Sequence, residues 1–147
     1  MQYQTQQSHT VVVIGASGYV GAELSRLVQK HSALKLFGCY VSEHSSDAGT
    51  LLSDLYPQYA HCLKIPLQGL TDNEKSSIKH QADTVFLCTE HSISVALAPE
   101  FLEAGLKVID LSGGFRLDAI EDYPQFYGFE HKQAHWLRQA VYGLAEW

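Results

Sequence analysis

The feature that most constrains this chain is the segment "TVVVIGASGYVGAEL", residues 10–24, in which Gly15, Gly18 and Gly21 recur every third position between an apolar run and an amphipathic one. Glycine inside or beside regular structure carries an entropic cost, so three at this spacing need a physical reason. "TVVVIG" has the β-branched, uninterrupted apolar character of a strand buried on both faces. From Tyr19 to about His31, Val20, Leu24, Leu27 and Val28 recur at helical spacing. In a strand–turn–helix, Gly15 permits the tight exit from the strand. Gly18 removes a side chain where backbone must approach an anion, and Gly21 lets the helix pack close to the strand. The free N–H groups of the first helical turn, with Tyr19 and Val20 at its start, then face that anion along the favourable end of the helix dipole. Ser17 adds a hydroxyl donor at the same mouth. A dinucleotide pyrophosphate is the ligand this arrangement implies.

The rest of the chain continues the alternation. "LKLFGCYVS" reads as a second strand, which makes a βαβ unit with parallel strands. From Glu43 to about Lys64 the sequence is polar and Ser/Gly-rich, with a short helix hinted at "GTLLSDLYP". "LKIPLQGL" reads as a brief strand that Pro66 demotes to an edge or a bend. "EKSSIKH" is a short helix and "DTVFLCT" a buried strand. "SISVALAPEFLEAG" is a helix broken or restarted at Pro99, with Gly105 as its stop. "LKVIDLS" is the last clear strand, followed by an aromatic, turn-rich third with a short helix near "HKQAHWLRQ" and an extended "AVYGLAEW". The fold class is α/β, a Rossmann-like, doubly wound, mostly parallel sheet with helices on both faces. The expected organisation is a disordered leader at residues 1–9 and one nucleotide-binding domain over 10–147.

The balance of ten Lys plus Arg against sixteen Asp plus Glu, a net charge of −6, argues against nucleic-acid or membrane-surface partners, which require a basic face. No apolar run approaches the ~20 residues of a membrane span, and the polar start lacks the apolar core of a secretory signal. Cys39, Cys62 and Cys88 form no CxxC pair, and the histidines fall into no metal-ligand spacing with them. Buried free thiols in a reducing cytoplasm are the expected state, with no metal. His131 and His135 are four apart but lack a third ligand.

NAD-specific sites carry a carboxylate about 20 residues past the glycines, on the ribose hydroxyls. Here "CYVSEHSSDAG" places Ser42 at that point, which leaves room for a 2′-phosphate, and Ser45 and Ser46 can donate to one. Glu43 takes the acidic part if the register slips by one. NADP is the favoured cofactor, and a solvated loop is the plainer alternative for these serines.

Taken together, "GASGYVGAEL", "VSEHSSDAG", "TVFLCTEHSIS", "DLSGGFRL" and "VYGLAEW" resemble the N-acetyl-gamma-glutamyl-phosphate reductase family over residues 10 to 147, in matching order. Aspartate-semialdehyde dehydrogenases share the glycine motif but not the last two. The resemblance implies an NADP-binding Rossmann domain followed by a second domain that carries substrate and dimer contacts, hence a homo-oligomer. It also implies reduction of an acyl phosphate to an aldehyde in arginine biosynthesis, through a cysteine thiolate and a thioester, with a histidine as acid/base. The family's nucleophilic cysteine lies in a "PGCYPT"-like segment beyond "GLAEW", and Cys39, Cys62 and Cys88 lack those surroundings. The expectation is therefore a cofactor-binding part with no catalytic residue of its own, inactive alone. A stand-alone nucleotide-binding regulatory module and a semialdehyde-dehydrogenase-like domain are the alternatives.

At the carboxyl edge of the sheet, "DLSGGFR" offers Ser112 and Gly113 to the nicotinamide side of the cofactor. The planar fork of Arg116 suits an acyl phosphate or a carboxylate; the alternative is a surface pair with Asp118 or Asp122. Thr89 and His91, from "CTEHSIS", lie at the same edge, with Glu90 in place of the family's usual proline. His91 is expected to line the cofactor pocket and not to transfer protons. Glu146 is a candidate lining residue near the domain junction.

Overall fold

The computed structural model describes residues 8–143. Its elements run β1 (His9–Ile14), α1 (Tyr19–Lys30), β2 (Leu34–Val41), α2 (Leu52–Leu55), β3 (Leu67–Gly69), α3 (Asp72–Gln81), β4 (Thr84–Leu87), α4 (His91–Glu103), β5 (Lys107–Asp110), α5 (Tyr123–Tyr127) and α6 (Ala134–Leu137). The strands form one sheet in the order β3-β2-β1-β4-β5, every pairing parallel. The sheet is thus wholly parallel where a mostly parallel one was expected.

Alternation along β1 divides the core in two. Val12 and Ile14 point to a cluster with Tyr40, Ile78, Val85 and Phe101, which involves α3 and α4. Val13 points to the opposite cluster, with Ala22, Cys39, Leu52 and Leu67, which involves α1 and α2. Both faces of the central strands are therefore covered, and the chain winds outward from β1 in each direction. No helix of the described residues is long and apolar enough to cross a membrane.

Several local expectations are corrected. The first strand starts at His9, inside the expected leader, because His9 N–H donates to Ala33 O and His9 Nε2 lies 2.8 Å from Thr84 Oγ1. On α1 the buried residues are Gly21, Ala22, Ser25 and Val28, while Val20 and Leu27 are exposed. Close approach of helix to sheet selects small side chains, not large ones. Ser25 donates to Gly21 O and accepts from Cys39 Sγ, so no polar atom is left unpaired there.

The polar helix α3 begins at Asp72 because Thr71 Oγ1 accepts the Glu74 N–H at 3.2 Å. Pro99 lies within α4 without ending it, and Gly105 follows with φ of 85°. Cys39 is buried, whereas Cys62 and Cys88 are only partly so, and all three are free. Tyr123 is buried among Tyr127, Phe129 and His131, while Phe126 and Tyr142 remain exposed. Residues 140–143 form no strand, and the rest of "AVYGLAEW", including Glu146, lies outside the described residues.

Candidate functional site: three loops at the carboxyl edge

Register places the ends of β1, β4 and β5 level: Ile14 pairs with Leu87, and Leu87 with Asp110. The loops that follow them leave the sheet side by side, at the point where the winding reverses and ligands of such sheets bind.

The glycine turn shows why each glycine stands where it does. Gly15 has φ of 84°, and a Cβ there would meet Cys88 O at 2.4 Å, so it lets the β1 loop lie against the β4 loop. A Cβ on Gly21 would fall 2.3 Å from Gly15 O and 2.7 Å from Ala16 Cα, so that residue lets α1 sit on the turn. Gly18 differs: its φ is −76°, and the nearest atom a Cβ would meet is Gly15 O at 3.6 Å. The protein uses the space beside Gly15 and Gly21 and leaves that beside Gly18 open. Gly18 caps α1 with no side-chain hydrogen bond, so the N–H groups of Tyr19, Val20 and Gly21 have no helical acceptor. Ser17 O accepts from Tyr56 Oη at 2.7 Å, which ties the long loop after β2 to this turn. Tyr19 packs edge-on to Tyr56, and Tyr56 stacks with Tyr59.

Tyr59 Oη donates to Glu23 on α1, whose carboxylate also takes both arms of Arg26. The Arg26 and Tyr59 hydrogen bonds together bring the Glu23 carboxyl down to about 2. These contacts dock the segment that the sequence left nearly featureless. At the end of β2, Ser42 is exposed, as are Glu43 and His44. Ser45 Oγ accepts the Asp47 N–H at 3.2 Å and so turns the loop locally.

The β4 loop carries Thr89, Glu90 and His91. Thr89 Oγ1 lies 2.9 Å from Ser94 Oγ, which commits that hydroxyl to the first turn of α4. The β5 loop is more tightly built than its sequence suggests. Asp110 accepts from both the Ser112 N–H and the Ser112 hydroxyl, and Ser112 Oγ in turn accepts the Gly114 N–H. The Gly113 N–H donates to His91 Nδ1 at 2.8 Å. A Cβ on Gly113 would fall 2.5 Å from the Tyr127 ring. Ser112 thus spends its polar groups on the loop itself, and Gly113 spends its N–H on His91.

Arg116 is exposed and lies over the Tyr142 ring at 5.6 Å. Neither Asp118 nor Asp122 forms an ion pair with it, nor does any other acid among the described residues. It opens onto a cleft of about 830 Å³ along the free side of β5, lined also by Val20, Asp110, Ser112 and Tyr142. Of the expected site residues, the cleft unites Val20, Ser112 and Arg116. Gly15, Ser17, Gly18 and Tyr19 lie in or beside the glycine turn, Thr89 comes close to it at Gly15, His91 and Gly113 are joined to each other, and Ser42 and Ser45 follow the end of β2.

Sequence reasoning missed His131 as part of this architecture. Its Nε2 donates to Gly114 O at 2.9 Å, and its ring packs against Tyr123 and Phe115. Burial lowers its pKa from the usual 6.5, outweighing the bond to Gly114. The unfolded chain therefore binds a proton there first, so the contribution of neutral His131 is complete above pH 6.5 and drains away as pH falls through the folded pKa. An imidazole titration by NMR is expected to give His131 a midpoint below 6.5; a midpoint at or above that value contradicts the buried, neutral ring. Among the described residues no group of three His, Cys, Asp or Glu side chains could hold a metal ion.

Comparison with known proteins fits this geometry. The chain is 74% identical over its whole length to the N-acetyl-gamma-glutamyl-phosphate reductase of Idiomarina loihiensis, of which it covers 43%. It spans about two fifths of the length of the curated relatives it matches. Aspartate semialdehyde dehydrogenase with NADP from Candida albicans shares the fold, with a TM-score of 0.58 and 23% identity over 75% of this chain and 31% of that one. RSP in complex with beta-NAD+ and operator DNA does so too, with a TM-score of 0.56 and 15% identity over 74% of this chain and 46% of that one. The family described as semialdehyde dehydrogenase, NAD binding domain, matches residues 10–147, and the chain belongs to it.

Proposed function

We propose that this chain is the NADP-binding part of an acyl-phosphate reductase that converts N-acetylglutamyl 5-phosphate to N-acetylglutamate 5-semialdehyde, a step of arginine biosynthesis. The observation that carries the reading is the glycine turn. Two glycines are closed by the protein's own backbone, while Gly18 stays open beside the unpaired amides of α1. In this reading the amides of Tyr19, Val20 and Gly21, with the Ser17 hydroxyl, take the pyrophosphate. Ser42 and Ser45 stand beside the ribose 2′-phosphate, where a carboxylate would repel it. Thr89, His91, Ser112 and Gly113 form the wall on the nicotinamide side, and Arg116 holds the acyl phosphate. NADPH supplies the hydride. These residues bind and orient, and the nucleophile belongs to a further domain. The complete protein is a cytoplasmic homo-oligomer whose Rossmann domain is residues 10–147.

Isothermal titration of the chain with each reduced coenzyme tests this. NADPH is expected to bind at least tenfold more tightly than NADH, about 1.4 kcal/mol. Equal affinities overturn the role given to Ser42, and no heat with either coenzyme overturns the cofactor site itself.

A further inference from the structure

One hydrogen bond joins the β4 and β5 loops through a side chain. An amide can only donate, so the 2.8 Å contact from the Gly113 N–H makes His91 Nδ1 an unprotonated acceptor and places the proton of the neutral ring on Nε2. The ring is held in that attitude by Tyr127, edge to face at 4.6 Å, and Tyr127 also fills the space where a Cβ on Gly113 would stand. The peptide so fixed leads on to the candidate ligand group, because Gly113 O accepts the Arg116 N–H at 3.3 Å. The far side of the diglycine is secured by His131 on Gly114 O and by Ser112 Oγ on the Gly114 N–H. Gly114 itself lies against α4, where a Cβ would come within 3.0 Å of His91 O.

We propose that His91 is a positioning residue: its Nδ1 clamps the Gly113 amide, and the turn so fixed presents Arg116 to the anionic group of the substrate. The part given to Arg116 rests on the function proposed above; the clamp does not. His91 acts here as a hydrogen-bond acceptor through a backbone amide, and no proton changes hands.

Asparagine and glutamine separate this from other roles. Asn sets its carbonyl oxygen near the place of Nδ1, whereas Gln carries its polar atoms one bond further out. In the 147-residue chain, exchange of the Gly113 amide is expected to be slow in the wild type and in His91→Asn, and at least tenfold faster in His91→Gln and His91→Ala. In the full-length protein, the same two fast-exchanging variants should raise the KM for acyl phosphate at least tenfold. His91→Asn should restore it, and the pH profile of kcat should be unchanged in all three. Gly113 exchange in His91→Gln equal to the wild type overturns the clamp. A kcat that collapses in His91→Asn with loss of a pH limb overturns positioning in favour of proton transfer. If the wild type binds no pyridine nucleotide, the proposed function falls, and Gly113 exchange still decides the clamp on its own. If His91→Ala does not fold, the contrast between His91→Asn and His91→Gln decides it alone.

Discussion

Gly21→Ala is expected to destabilise the fold by about 3 kcal/mol or more, although Ala is the better helix former by about 1 kcal/mol. The added methyl would stand 2.3 Å from Gly15 O, 2.7 Å from Ala16 Cα and 2.9 Å from Gly15 C. All three belong to backbone, so no rotamer change relieves the overlap. Either α1 lifts from the sheet, uncovering Ala22 and Val28, or the turn after β1 shifts. That turn is held by two donors, the Gly15 and Ala16 N–H groups on Tyr40 O, and by the contact of Gly15 with Cys88. A loss of this size is a large share of the roughly 5–15 kcal/mol that holds an ordinary domain together. Gly18→Ala is the control. Its methyl meets nothing closer than 3.6 Å and its backbone is already in a region open to any residue, so the melting temperature should change little. Pyridine-nucleotide affinity should fall at least tenfold, because the methyl occupies the approach to the first-turn amides. Thermal melts and calorimetry on the pair read both effects. A wild-type melt for Gly21→Ala contradicts the packing argument, and undiminished binding by Gly18→Ala removes the pyrophosphate from this turn.

The difference between those two glycines marks how far the sequence could be read. Spacing alone announced a strand, a tight turn and a helix, and β1, α1, β2, β4 and β5 follow the apolar runs closely. For β1 and β4 the cause is burial on both faces, which leaves continuous apolar stretches, whereas β5 at the sheet edge is half exposed. Which face α1 buries was only partly legible. Of the large apolar residues at helical spacing, Val28 is buried and Leu24 packs against the core, but Val20 and Leu27 are exposed, and the remaining buried positions are Gly21, Ala22 and Ser25. The start of α3 was written in the sequence as "TDNE", a threonine three residues before a glutamate. The signal is weak because that helix buries only Ile78 and shows little periodicity. There Glu74 does not close the reciprocal bond of a capping box; its side chain accepts from Tyr40 Oη at 3.0 Å.

After β2 the short helix hinted at "GTLLSDLYP" is present as α2, but how the segment docks was illegible, for a different reason. Its order comes from partners far away in sequence, Tyr56 on Ser17 and Tyr59 on Glu23, which no local pattern records. The site divides in the same way. Motifs after β1, β4 and β5 could be placed at one edge, because strand ends in parallel sheets collect there. Which polar groups remain free once the loops have paired could not be foreseen. Ser112, Gly113 and Thr89 turn out to be occupied by Asp110, His91 and Ser94, and Arg116 does not pair with either acid the sequence offered.

Arg116, which has no ion pair among the described residues, yields the second large effect. Arg116→Ala in the full-length protein is expected to lower kcat/KM for acyl phosphate by about 100-fold, about 2.7 kcal/mol, the worth of a charge-assisted, two-pronged contact with phosphate. Stability should hardly move, since the side chain has no ion pair among the described residues and gives up only its contact with Tyr142. Arg116→Lys keeps the charge without the planar fork and should recover part of the loss, remaining about tenfold below the wild type. The Kd for NADPH should stay within about twofold, because the amides proposed to take the pyrophosphate lie on α1 and not on this loop. The pattern discriminates between readings. A parallel fall in NADPH affinity moves Arg116 from the substrate to the cofactor. Unchanged kinetics make it an exposed loop cation, and favour a nucleotide-binding module that needs no substrate group. Loss of kcat/KM with NADPH affinity intact fits a group that meets the acyl phosphate, in a cleft that is lined also by Val20 from the first turn of α1.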